Sequence, residues 1–328
     1  MDHSRLTMDK PLIIGTPDAE VHRFVELWTG QCDYIEAHTS GSTGKPKGVL
    51  LPKADMATSA RNTIEFFGID NCSKLALPLS VSYIAGKMML VRAILSGAEI
   101  YVEPASNHPL RNVGNAIFDL VAIVPSQIQG LLEVSDRILI RNLIVGGAPM
   151  SDDMERMLLD AGIKAYATYG MTETCSHVAL REVGQRQYKA LPGITFDTDS
   201  RGCLVINAPE YTFRRLVTND MVSLHGFNSF EWLGRYDNVI NSGGIKIQPE
   251  QIEYKLQQVM GNMPYYVTSA KSNRWGEEMV LVVESRYEVP QLMERVSEVL
   301  DKYERPKNII YEPIFQRTHN GKLKRKKY

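Results

Sequence analysis

At 328 residues, with 44% hydrophobic and 23% charged side chains, the chain has the length for a substantial core and more than one domain, and its composition excludes a fibre or a disordered polymer. Thirty-seven basic residues against 38 acidic ones leave a formal charge of −1, which gives no reason to expect nucleic acid or another polyanion as partner. Cys32, Cys72, Cys175 and Cys203 are scattered without a CxxC pair, so neither a zinc site nor a disulfide framework is expected.

In chain order, amphipathic runs predict helices over 54–67 and 87–95, then apolar β-branched runs predict strands over 120–124 and 142–145. A helix over 151–160 opens on Ser151 with Asp152 and Asp153 behind it, a good N-cap with acid in the first turn. A strand over 203–207 and short strands and turns from 218 to 232 follow. The alternation of strands with helices predicts an α/β fold with a largely parallel core sheet. A boundary is expected near 234–237. Beyond it lies a unit of about 90 residues, within the size of an independent domain. It reads as helix 249–259, strands 265–270 and 279–283, helix 289–302 and strand 308–311. No apolar run is long enough to span a bilayer and the N-terminus has no signal-peptide pattern, so a cytoplasmic protein without a membrane partner is expected.

The stretch from His38 to Gly48 packs three glycines, four hydroxyl residues and two lysines into eleven positions. Glycines let the backbone turn and present N–H groups, hydroxyls donate to phosphate oxygens, and lysines neutralise charge. The loop differs from the Walker type because Gly44-Lys45 leads into Pro46. Composition alone would also allow a plain Ser/Gly turn.

TSGSTGKPKG (Thr39 to Gly48) resembles the signature loop of the adenylate-forming superfamily of acyl- and aryl-CoA ligases, luciferases and peptide-synthetase adenylation domains. Four further blocks resemble that superfamily in the right order. They are Tyr169-Gly170-Met171-Thr172-Glu173, Thr218-Asn219-Asp220, the run from Gly234-Arg235-Tyr236-Asp237 to Glu253, and Thr318 to Arg325, which contains Gly321-Lys322. The resemblance implies a large N-terminal ATP- and acyl-binding α/β domain over 1–235 and a small mobile α+β lid over 236–328.

It also implies the site. ATP would be held by Thr39, Ser40, Gly41, Ser42, Thr43, Gly44 and Lys47 on the phosphates. Gly147, Ala148, Pro149, Tyr169, Gly170 and Met171 would surround the adenosine, and Asp220 and Arg235 the ribose. Thr172 would donate to a phosphate and Glu173 would hold Mg²⁺. Lys322 would place its cation between the attacking carboxylate and the α-phosphate, where it stabilises the meeting of two anions; its neighbours Lys324 to Lys327 also fit a solvated basic tail. Asp237 falls at the hinge, and Gly243, Gly244 and Lys246 at the coenzyme A entry. For the acid, Tyr83, Gly146, Ser176 and His177 are candidates, with Lys87 and Arg92 as further donors. Each of these also has an ordinary structural reading.

The chain departs from the superfamily in carrying only 38 residues before the loop, so part of the large domain is expected to be missing: a compact variant, a piece of a longer chain, or one that relies on a partner subunit. The sequence leaves oligomeric state open, a homo-oligomer included. The blocks YGMTETCSHVAL (Tyr169 to Leu180) and TNDMV (Thr218 to Val222) are most similar to the o-succinylbenzoate–CoA ligases of menaquinone biosynthesis. ATP, Mg²⁺, coenzyme A and a small carboxylic acid are therefore the expected ligands. Another aryl- or acyl-CoA ligase, an enzyme loading a carrier protein, and a non-catalytic nucleotide-binding protein remain alternatives.

Overall fold

Apolar runs too short to be helices pair here into one long sheet. The computed structural model describes residues 12–38, 48–272, 274–317 and 323–328. In chain order the strands of the large sheet are Ile13–Gly15 (β1), Lys74–Leu77 (β2), Glu99–Val102 (β3), Leu120–Ile123 (β4), Leu143–Val145 (β5) and Ala165–Gly170 (β6). They continue as His177–Glu182 (β7), Gln187–Ala190 (β8), Thr195–Thr198 (β9), Cys203–Ala208 (β10), Arg214–Leu224 (β11) and Ser229–Arg235 (β12). Across the sheet they run β1-β3-β2-β4-β5-β6-β7-β8-β12-β11-β10-β9.

Every pairing from β1 to β6 is parallel, and every pairing from β6 to β9 is antiparallel. The expectation of a largely parallel sheet therefore holds for only half of it. The reason is connection length: the first strands are joined by long crossovers, most of them helical, whereas from Ala165 onward turns are too short for a crossover and strands fold back on themselves.

Helices Lys53–Phe67 and Ile84–Ser96 pack against each other and against this sheet, extending the expected helices by one and by four residues. The second is buried nearly all round, from Met88 to Ile94, as expected for a helix inside the protein rather than on its surface. Asp55, in the first turn of the former helix, accepts from Thr212 N at 2.8 Å and from Thr212 Oγ1 at 2.6 Å, tying it to the chain between β10 and β11. Helix Asp152–Asp160 starts as its sequence dictates, with Ser151 Oγ accepting from Met154 N.

After Arg235 the chain enters a second sheet with its own apolar cluster around Ile252, Leu256, Leu281 and Val296. Strands Tyr265–Ser272 and Gly276–Glu284 form an antiparallel pair, and Asn308–Glu312 adds in parallel. Helix Leu292–Val299 is shorter than the 14 residues expected. Pro290 disfavours helical geometry at Val289, and Gln291 sits at φ 55 before the first turn. Helix Pro249–Met260 packs on strands of both sheets, and two of its glutamines reach the large unit: Gln251 Nε2 donates to Leu233 O on β12, and Gln257 Oε1 accepts from Asp152 N at a helix start. No helix among the described residues is long and apolar enough to cross a membrane.

Candidate active site

The parallel half of the sheet ends where the motif residues begin. Strand β6 carries Tyr169 and Gly170, and a single 3-10 turn, Thr172–Thr174, follows Met171. Thr174 fixes that turn: its hydroxyl donates within reach of Met171 O and Ser176 O and accepts from Met171 N at 3.0 Å. Gly170 is required here, since a Cβ would lie 2.2 Å from Ser176 O. Thr172 is half-buried and Glu173 exposed, and Glu173 forms no ion pair or hydrogen bond among the described residues. Beside the turn, Gly147, Ala148 and Pro149 lie exposed after β5, which runs parallel to β6.

Tyr169 is drawn towards the antiparallel half. Its hydroxyl donates to Asp220 Oδ2 at 2.8 Å, and its ring packs edge-on against Tyr188 and Phe230. Asp220 lies opposite Arg235 in the β11/β12 register. Arg235 Nη1 approaches Asp220 Oδ1 at 3.5 Å, and Trp232 Nε1 donates to the same oxygen at 3.3 Å. Burial, then the Asp220 charge, hold the Tyr169 phenol far above its ordinary value, so it stays a donor. Tyr169, Asp220 and Arg235, widely spaced in sequence, thus meet in one cluster beside the glycine-lined end of β5 and the Thr172 turn. A short acidic turn and an aromatic ring at the end of β6 lie beside a buried carboxylate on β11.

Residues 35–201, half of the chain, match the AMP-binding enzyme family. The chain belongs to that family. The acyl-CoA synthetase (AMP-forming)/AMP-acid ligase II-like protein of Dyadobacter fermentans is 35% identical, with 93% of this chain and 91% of that one covered at a TM-score of 0.64. The o-succinylbenzoate coenzyme A synthetase of Bacillus subtilis, solved with ATP and magnesium ion, superposes at a TM-score of 0.74 with 23% identity, covering 88% of this chain and 68% of that one. The 2-succinylbenzoate–CoA ligase of Enterococcus faecalis is 28% identical over 331 residues, which span 89% of this chain and 68% of the relative. The chain therefore has about two thirds of that ligase's length.

In this AMP-binding enzyme the signature-loop residues Thr39, Ser40, Gly41, Ser42, Thr43, Gly44 and Lys47 lie outside the described residues. Strands Tyr34–His38 and Gly48–Pro52 flank that stretch and pair antiparallel, His38 opposite Gly48. Lys322 also lies outside them. Its flanks are anchored: Arg317 bridges to Leu323, and Lys324 N donates to Gln316 O at 2.9 Å. The tail beyond is tied back onto the small unit, although Lys324, Lys326 and Lys327 stay exposed. Arg325 pairs with Glu253, Lys326 with Glu312 and Lys327 with Glu277, while Tyr328 exchanges two backbone hydrogen bonds with strand Tyr265–Ser272.

Asp237 sits in a short turn directly after β12. It accepts from Arg235 Nη2 at 3.1 Å and from Asn219 Nδ2 at 3.3 Å. Gly243 and Gly244 follow strand Ile240–Ser242, and Lys246 lies exposed on strand Ile245–Ile247. Trp275, missed in the sequence, packs so closely on Gly243 that a Cβ there would meet its ring at 2.7 Å.

The acyl candidates divide. Tyr83 caps helix Ile84–Ser96 and is 40% exposed. Gly146 is pressed on Thr168. Lys87 is used at home, its Nζ donating to Val81 O, and burial lowers its pKa. Ser176 and His177 meet Arg92 instead. Arg92 is 1% exposed in the middle of the buried helix, and Nη2 donates to Ser176 Oγ at 2.9 Å. Among the described residues its Nη1 reaches only Met89 Sδ, and its Nε has no hydrogen-bond partner. Burial lowers the guanidinium to about 9, still protonated at neutral pH. His177 is buried behind Ser176, and that burial, followed by the Arg92 charge, pulls its pKa well below the ordinary value. One signal for Arg92 was legible: a cation in an otherwise apolar helix, Met88-Met89-Leu90-Val91-Arg92-Ala93-Ile94.

Proposed function

We propose that this enzyme activates o-succinylbenzoate as its acyl-adenylate and transfers the acyl group to coenzyme A, in the cytoplasm. The observation that carries the choice of acid is Arg92. Burying a guanidinium without a carboxylate costs several kcal/mol, so such a charge is retained where a ligand supplies the missing anion. O-succinylbenzoate has two carboxylates; one is activated, and the other needs a buried cation in an apolar surround. Arg92 offers that cation next to Ser176, the second residue after the Thr172–Thr174 turn; among the described residues its Nε is unsatisfied and its other nitrogens meet only a hydroxyl and a thioether.

In the first half-reaction a carboxylate oxygen attacks the α-phosphorus of ATP and pyrophosphate leaves. The loop from Thr39 to Lys47 and the Thr172 hydroxyl hold the phosphates. Gly147, Ala148, Pro149, Tyr169, Gly170 and Met171 enclose the adenosine, and Asp220 and Arg235 accept and donate at the ribose. Glu173, exposed and unpaired among the described residues, is a hard oxygen donor suited to Mg²⁺, which when bound neutralises phosphate charge. Lys322 stabilises the approaching anions from the small C-terminal unit, residues 236–328. In the second half-reaction that unit turns about Asp237 and the thiol, entering past Gly243, Gly244 and Lys246, attacks the acyl carbon and AMP departs.

The test is ATP-dependent thioester formation, read by mass, with o-succinylbenzoate beside benzoate, short-chain and long-chain acids. Preference for o-succinylbenzoate, lost in Arg92→Gln, is the expected result. Thioester from another acid would replace the substrate. Adenylate without thioester would point to a carrier protein as acceptor, and no pyrophosphate release with any acid would overturn the reading.

A further inference from the structure

We propose that His177 is a positioning residue for the acid-binding arginine: it holds the Ser176 hydroxyl in the orientation that accepts from Arg92, and does not itself touch the acid. The inference rests on the reading of Arg92 above.

The argument is an accounting of protons along one chain of contacts. Thr63 Oγ1 lies 3.1 Å from Ser59 O, a backbone carbonyl that can only accept, and the relay proposed here gives the single Thr63 hydroxyl proton to it. Thr63 Oγ1 also lies 3.1 Å from His177 Nε2. Having spent its proton, Thr63 can only accept there, so Nε2 carries the hydrogen. In a neutral imidazole Nδ1 then bears the lone pair. Ser176 Oγ stands 3.4 Å from Nδ1, the longest link of the chain, and receives Arg92 Nη2 at 2.9 Å. Arg92 can only donate, so the Ser176 proton is left for His177 Nδ1. The run Arg92 to Ser176 to His177, and His177 to Thr63 to Ser59, therefore has one consistent direction, with every hydroxyl donating once.

The consequence concerns the acid. Ser176 Oγ is the only oxygen on the guanidinium among the described residues, and the neighbouring contact is a thioether. Without an acceptor at Nδ1 the Ser176 hydroxyl rotates freely and the long Arg92 side chain loses its oriented partner. His177 itself is 5% exposed and has both ring nitrogens engaged.

The experiment measures KM and kcat for wild type, His177→Leu and His177→Asn on two acids: o-succinylbenzoate, and 3-benzoylpropionate, which lacks the ring carboxylate. His177→Leu is expected to raise KM for o-succinylbenzoate about tenfold, leaving KM for 3-benzoylpropionate and for ATP within about twofold. His177→Asn, which keeps an acceptor towards Ser176, is expected to recover most of the loss. Equal losses on both acids, or no change on either, overturn the proposal. If wild type itself fails to prefer the diacid, the reading of Arg92 falls first, and that is visible without any variant. Histidine ¹⁵N spectra of the wild-type enzyme give a second test independent of variant folding: a proton on Nε2 of His177 is expected, and a proton on Nδ1 overturns the relay.

Discussion

Arg325 and Glu253, 72 residues apart, form a two-point ion pair in which Nη2 donates to Oε2 at 2.6 Å and Nη1 to Oε1. Val267 completes the knot, its N–H donating to Glu253 Oε1 and its carbonyl accepting from Arg325. Burial pushes the Glu253 carboxyl up, and the Arg325 charge opposes it. Arg325 stands three residues after Lys322, so in the function proposed above this pair anchors the chain that follows the adenylating lysine. Arg325→Met leaves Glu253 buried without its counter-charge, an expected loss on the order of 3 kcal/mol in urea unfolding. The double variant Arg325→Met/Glu253→Leu is expected to recover that stability and still to adenylate poorly. Full recovery of pyrophosphate release in the double variant would make the pair purely structural.

Asp220 receives Tyr169, Trp232 and Arg235 together, which fixes its two oxygens in the role proposed for them at the ribose. Asp220→Asn keeps the shape but halves the acceptor capacity and removes the charge facing Arg235. An increase in KM for ATP of about tenfold or more is expected, matching the loss of a charged hydrogen bond. Tyr169→Phe removes only the hydroxyl and is expected to raise the same KM a few-fold. Pyrophosphate release against ATP concentration measures both, and an unchanged KM in Asp220→Asn would remove it from the ribose site.

The sequence told most where chemistry demands particular atoms in a short span. Tyr169 to Glu173 could be read as a site because a ring, glycine, hydroxyl and carboxylate occur within five positions, and their placement on one strand end and its turn follows from local geometry. Helix Asp152–Asp160 was equally plain, because its cap is a neighbour in sequence. Trp232 and Trp275 were not. Trp232 reaches Asp220 through the β11/β12 pairing, and Trp275 reaches Gly243 across a sheet edge, so neither contact leaves a periodic trace. The antiparallel turn of the sheet after Ala165 escaped notice for a related reason: buried strands of either direction share the same apolar composition. For Arg92 the sequence gives the oddity of a cation in an apolar helix, but its lack of an anion is a fact of three-dimensional packing.

Gly243 has φ 58 and lies against the Trp275 ring, with its N–H donating to Trp275 O at 3.1 Å. Gly243→Ala adds both backbone strain of about 1–2 kcal/mol and a clash that displaces the indole. If the thiol enters past this loop, thioester formation from preformed adenylate is expected to slow about tenfold while pyrophosphate release is unchanged. Rapid-quench measurement of the two half-reactions separates these. A slowed first step with a normal second step would place the loop elsewhere in the cycle.

His177 also makes stability depend on pH in a definite direction. Its pKa is well below 6.5 in the folded protein because burial, reinforced by Arg92, disfavours the imidazolium, and in the unfolded chain it returns to about 6.5. Between those two values the unfolded state binds a proton that the native state does not, so unfolding becomes easier as pH falls below about 6.5. The slope contributed by this one group is at most about 1.4 kcal/mol per pH unit. It vanishes above pH 6.5, where both states are neutral. The comparison that isolates it is urea unfolding of wild type and His177→Asn from pH 7.5 to 5. Carboxylates outside the relay titrate alike in both proteins, so the difference between the two curves belongs to His177. The stability gap between the proteins is expected to be constant above pH 6.5 and to shift in favour of the variant below it. A gap that stays constant to pH 5 would mean that His177 takes up its proton as readily in the folded enzyme as in the unfolded chain, and the direction of the hydrogen bonds at Ser176 would then hold only above about pH 6.5.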